Sequence, residues 1–134
     1  MTVLVVDGAN VVGSRPDGWW RDRAGAAARL ASRLATALAA GPSSTADVAA
    51  SVDRVVLVLE GAARAASIEP VDGLEVVTAA GDGDSTIVDV VAELTGSGAE
   101  VVVVTADRLL RTRVEAVGAG TAGPGTLLRA LDTL

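Results

Sequence analysis

Three apolar runs, Thr2–Val6, Val55–Leu59 and Val101–Val104, are dense in β-branched residues, lack polar alternation and lead within three positions to an acid: Asp7, Glu60 and Asp107. A run of that kind suits a strand buried on both faces of a parallel sheet, not a half-exposed strand of an antiparallel pair. A weaker run, Leu74–Thr78, leads into Gly81-Asp82-Gly83-Asp84. Parallel strands need crossovers, and the intervening segments carry helical spacing. From about Trp20 to Ala40, the residues Ala24, Ala27, Ala31, Leu34 and Leu38 recur at helical steps until Gly41-Pro42 stops them. Ser85–Thr95 turns Ile87, Val88, Val91 and Leu94 inward, with Asp84 as the expected N-cap. A helix from Asp107 to about Val117 does the same with Leu109, Leu110, Val114 and Val117. Ser43–Ser51 is small and polar and reads as a surface loop, Gly118–Gly125 holds a short edge strand, and Thr126–Leu134 forms a terminal helix. This alternation predicts one α/β domain over residues 1–134, a three-layer α/β/α sandwich on a mainly parallel, Rossmann-like sheet of about five strands.

In such sheets ligands gather beyond the carboxyl ends of the strands. Asp7, Glu60, the pair Asp82 and Asp84, and Asp107 all fall there, and carboxylates crowded on one edge repel one another and invite a divalent cation. Each acid also has a plainer reading. Asp84 and Asp107 suit helix N-caps, Asp7 an Asx turn, and Asp82 a solvated place in a Gly-rich turn. Glu60 fits a cap poorly, and at the end of a buried strand it must be solvated, paired or metal-bound. Thr105 either orients a water or a phosphate or bonds its own backbone. Arg108, beside Asp107, is placed to hold a phosphate, whereas Arg111 and Arg113 read as surface residues. Arg29 and Arg33, one turn apart, read as a solvated helix face with ion pairs. Trp19 and Trp20, the only aromatic residues, either stack on a base or roof the sheet edge.

Absent residues narrow the chemistry. The chain contains no His and no Cys, and all eleven basic residues are Arg. A Ser-His-Asp triad, a Cys nucleophile, a His or Cys zinc site, a Lys Schiff base and a Walker A lysine are therefore excluded. Carboxylate, hydroxyl and guanidinium chemistry remains. The net charge of −6 argues against a general polyanion-binding surface, so contact with nucleic acid has to be local. Gly118-Ala-Gly-Thr-Ala-Gly123 matches a dinucleotide fingerprint, but the chain ends before the acid about 20 residues on that such a fold needs. No apolar run approaches a membrane span of about 18 residues, the first segment enters a core strand without a leader-like basic flank, and the absence of Cys fits a cytoplasmic protein.

Four segments carry a resemblance: VDGANVVG at 6 to 13, the acid after VVLVLE, GDGDSTIVDVV at 81 to 91 and VVTADRLLRTRVEAVGA at 103 to 119. Together they resemble the NYN branch of the PIN-like nucleases, with GSRPDGWWRDR at 13 to 23 similar to a small actinobacterial-type version. The resemblance implies a ribonuclease whose acids hold Mg²⁺ or Mn²⁺ and activate water against a phosphodiester. It implies Asp7, Asp84 and Asp107 as metal ligands and catalytic residues, Glu60 as a less constant fourth acid with Asp82 near it, and Asn10 beside Asp7. Substrate contacts are then expected from Asn10, Thr105, Arg108 and the Arg15 to Arg23 loop. The expected partner is RNA, short or presented by another protein, and a homodimer is compatible. Two other functions stay open: hydrolysis of free nucleotides through the same acids, and a non-catalytic RNA- or protein-binding module.

Overall fold

The computed structural model describes all residues 1–134. Five parallel strands, β1 (Thr2–Asp7), β2 (Val52–Leu59), β3 (Leu74–Thr78), β4 (Glu100–Val104) and β5 (Gly120–Ala122), form one sheet in the order β3-β2-β1-β4-β5. Five helices accompany them: α1 (Gly8–Gly13), α2 (Arg23–Ala40), α3 (Gly83–Gly96), α4 (Arg108–Ala116) and α5 (Pro124–Asp132).

The missing polar alternation in the strands is explained by two cores. Along β1, Leu4 and Val6 enter one cluster with Ala27, Leu30, Leu34 and Leu127, beneath α1, α2 and α5. Val3 and Val5 enter the other with Ile87, Val91, Leu110 and Val114, beneath α3 and α4. Val3, Leu4, Val5 and Val6 are all fully buried. Burying such a side chain on both faces contributes about 1.5–3 kcal/mol per residue, which fixes β1 as the centre of the sheet.

Strand β3 lies where the sequence places it, and the third layer and terminal helix form as expected. Several details differ. Helix α1 was not expected, because six residues are too few for periodicity; buried Val11 packs it onto the first core and Asp7 caps it. In α2 the buried stripe is Ala26, Ala27, Leu30, Ala31, Leu34 and Ala37, a rotation from the expected one that leaves Ala24 and Leu38 half-buried. In α4 only Leu110 and Val114 are fully buried, while Leu109 is 69% exposed, since consecutive helical positions diverge by about 100°. The cap of α3 is Asp82, whose carboxylate accepts from the Ser85 amide at 2.8 Å, so Asp84 lies inside the first turn. The 42–51 segment is turn-rich and partly docked, with Thr45 and Ala49 buried. No helix is long and apolar enough to cross a membrane.

Candidate active site at the carboxyl edge of the sheet

The strand order reverses direction between β1 and β4: the chain moves outward from β1 to β2 and β3, then returns to pair β4 on the other side. That reversal opens a crevice at the carboxyl ends of these two strands. Asp7 ends β1, and Val6 pairs with Val104, so Thr105 emerges next to it.

One buried bond joins the two strand ends. The Thr105 hydroxyl donates to Asp7 Oδ2 at 2.9 Å and accepts from the Asp107 amide at 3.2 Å. Thr105 is fully buried, and Asp7 is 7% exposed. The other Asp7 oxygen accepts from the Asn10 amide, the cap of α1. Asn10 Oδ1 in turn accepts from the Ala106 amide at 2.8 Å, tying α1 to the loop after β4. Arg111 Nε donates to the Thr105 carbonyl at 2.8 Å and braces that loop from below.

Glu60 follows β2 and turns its carboxylate to the N-terminus of α3, where one oxygen accepts from the Gly83 amide. A side chain at Gly83 would collide with that carboxylate, so the glycine is what admits it. Asp107 caps α4 through Oδ1, which accepts from the Leu110 amide at 3.0 Å, leaving Oδ2 free. Asp84 makes no hydrogen bond and stands in the first turn of α3.

These acids act on one another. Burial pushes the Asp7 carboxyl above its ordinary value; the bonds from Thr105 and Asn10 draw it back, and the charges of Asp84 and Glu60 push it up again. Burial likewise raises Asp84, helped by Asp107, Asp82 and Glu60, with Arg113 the one cation that opposes. None of the ion pairs in the chain involves Asp7, Glu60, Asp84 or Asp107. Uncompensated carboxylates at a half-buried edge are costly unless something positive joins them.

The structure thus brings Asp7, Glu60, Asp84, Asp107, Asn10 and Thr105 to one edge. Asp82 borders it, but both its oxygens serve Ser85, whose amide and hydroxyl hold its carboxyl below the ordinary value. Arg108 sits at the rim, exposed, with its side chain free of hydrogen bonds and ion pairs. Arg15 does not join: it pairs with Asp132 at 2.7 Å and lines a separate cleft with Arg29 and Arg33. Arg111, read as a surface residue, is half-buried and braces the loop, while Arg113 is exposed as expected and its charge draws Asp84 down slightly. Their four- and six-residue offsets from Asp107, about one and two helical turns, were the available signal.

As a donor set, carboxylates and a hydroxyl suit a hard divalent cation such as Mg²⁺ or Mn²⁺. No three acidic side chains are grouped closely enough to hold an ion directly.

No protein family matches the sequence, and no curated protein does. Among solved structures, the chain is similar to Rae1 (YacP) from Bacillus subtilis, with a TM-score of 0.71 and 20% identity over 99% of this chain and 75% of that one. A tryptophan-to-leucine mutant of the same protein gives a TM-score of 0.72 and 21% identity, covering 99% and 76%. The chain shares the five-stranded parallel α/β fold of that protein. At this identity the likeness concerns the architecture, and the chemistry has to be argued from the site.

Proposed function

We propose that the protein is a divalent-cation-dependent phosphodiester hydrolase acting on single-stranded RNA. The observation that carries this reading is the buried Asp7, clamped by Thr105 across the topological switch point, with Glu60, Asp84 and Asp107 around it and no basic partner. The resemblance of the VDGAN and TADRLLRTRV segments to PIN-like nucleases supports it independently.

Asp7, Asp84 and Asp107 would hold Mg²⁺ or Mn²⁺, with Glu60 as a fourth acid. Such an ion lowers the pKa of bound water and neutralises charge that develops on the phosphate. The protein's part is positioning. Thr105 fixes the rotamer of Asp7, Asn10 and Arg111 fix the loop that presents Asp107, and one Asp107 oxygen stays free of the α4 cap. Arg108 and Arg113 are the cations available to a phosphate at this rim. With a net charge of −6, a long polyanion gains little from the rest of the surface, so a short RNA or one presented by a partner protein suits this site. The same charge favours, as a second reading, hydrolysis of free nucleotides by the same acids. The absence of Cys supports a cytoplasmic setting for either activity.

The test is Mn²⁺-dependent cleavage of single-stranded RNA by the wild type beside Asp7→Asn and Asp107→Asn. Cleavage that drops more than about a hundredfold in both variants is expected, since even groups that merely support metal ligands cost up to that much. Equal activity in all three, or none on RNA or nucleotides, would sink the proposal.

A further inference from the structure

A cleft of about 360 Å³ opens directly beside the acidic edge, and apart from Glu60 the hydrolase chemistry above does not use its lining. It shares Glu60 with that edge, and Gly8 and Ala9, which follow Asp7, form part of its lining. Its far wall is Trp19 with Arg23. The Arg23 guanidinium carbon stands 5.1 Å from the Trp19 ring centroid, and Trp20 meets Trp19 edge-on at 5.9 Å and 87°. The ring is thereby held by a cation on one side and an aromatic edge on another.

Three glycines contribute backbone to the lining. Gly8 has no room for a side chain, since a Cβ there would lie 2.6 Å from the Val58 carbonyl oxygen, and Gly61 has a φ of +58° that disfavours other residues. Gly81 borders the cleft with open space where its side chain would be. The result is a cleft lined by Trp19 and Arg23, by the apolar side chains of Val12, Ala27, Leu59 and Ala63, and by glycine backbone, with one acceptor and one donor group: the Glu60 carboxylate and Arg23. A slot of this volume is within the range that small ligands occupy.

We propose that this cleft is a nucleobase subsite, taking an unstacked base of the RNA whose phosphate lies at the acids. The proposal rests on the RNA-hydrolase reading for the identity of the ligand. Its chemistry stands on the cleft. An uncharged ring is the part of a nucleotide that a chain of net charge −6 can bind without meeting its own field. Stacking on Trp and Arg is the recurrent way that single-stranded bases are held, and a carboxylate accepts from the N–H groups of a base edge. The base supplies the affinity that the missing basic groove does not.

The chain's only aromatic residues are Trp19 and Trp20, so intrinsic emission reports on this cleft alone. The experiment uses Trp20→Phe, which leaves Trp19 as sole fluorophore, combined with Asp7→Asn and kept free of divalent cations. It is titrated with the four uncharged ribonucleosides and with ribose. Saturable quenching by at least one nucleoside and none by ribose is expected. Arg23→Ala should weaken it about tenfold. Because neither metal nor phosphate is present, quenching in a protein that never cleaves RNA would retain the base site and remove the nuclease. RNA cleavage by the wild type with no nucleoside quenching would do the reverse. Quenching that ribose reproduces, or that Arg23→Ala leaves unchanged, overturns the subsite.

Discussion

Two charged clusters in this molecule solve opposite problems. At the joint of α1, α2 and α5, Asp132 sits between Arg15 and Arg33, and the hydrogen bonds from Arg15 and then Arg33 hold its carboxyl down to about 2. At the carboxyl edge of the sheet, Asp7 and Asp84 are raised by burial and by neighbouring carboxylates; hydrogen bonds from Thr105 and Asn10 ease Asp7, and Arg113 is the one cation that eases Asp84. The first cluster is charge-neutralised by its own side chains and fastens the last helix to α2. The second is left incomplete at a crevice, which is costly for a fold and sensible for a site that completes itself with a ligand.

The two differ in the sign of their pH dependence. Asp132, with a depressed carboxyl, favours the fold above its ordinary value of 3.8, and that contribution is lost as pH falls through about 2. Asp7 and Asp84, with raised carboxyls, favour the fold below 3.8, and that contribution is lost as pH rises through their raised values. At neutral pH the acidic edge is thus a standing cost, and anything that removes its charge repulsion should stabilise the chain.

The largest effect expected from this contrast is that of a cation. Mn²⁺ at a hundred times its Kd should raise the unfolding free energy of the wild type by about 2.7 kcal/mol, seen as a shift in thermal melting. The shift should vanish in Asp7→Asn. A shift of equal size in both proteins would place the ion elsewhere and break the comparison. Next in size is Thr105→Val, which strips Asp7 Oδ2 of its buried donor and should cost about 1–3 kcal/mol at neutral pH. In urea titrations that cost should shrink in acid, because the bond favours the ionised carboxylate. Asp84→Asn should act in the other direction, stabilising the metal-free protein by about 0.5 kcal/mol, a modest figure because the group is partly solvated. Destabilisation there would mean that the dipole of α3 outweighs the repulsion from its neighbours. The smallest effect is that of Asp132→Asn, which should lower the melting temperature slightly at neutral pH and by less at pH 2, since exposed pairs contribute little.

The strands and the edge they end on were legible because buried parallel strands write their position as unbroken β-branched runs. Asp7, Glu60 and Asp107 each follow such a run, so their common side of the sheet needed only the parallel topology. What escaped were features set by contacts between distant segments. Asp84 looked like a cap because Asp is a good one, but Asp82 satisfies the Ser85 amide and releases Asp84 to the crevice. Arg15 looked available, and only the return of α5 brings Asp132 to it across 117 positions. Helix α1 was invisible because its six residues depend on Val11 reaching the core.

The sequence by itself determined the α/β class, the buried character of the main strands and the restriction to carboxylate, hydroxyl and guanidinium chemistry, because hydrophobic pattern and the absence of His, Cys and Lys are local facts. The tertiary structure decided which acids stand unpaired and which are spent as caps. It set Thr105 on Asp7 across 98 positions and shaped the cleft between Glu60 and Trp19. Such outcomes depend on which hydrogen-bond donor and which cation arrive first at each carboxylate, and that is fixed only when the strands pair and the helices close over them.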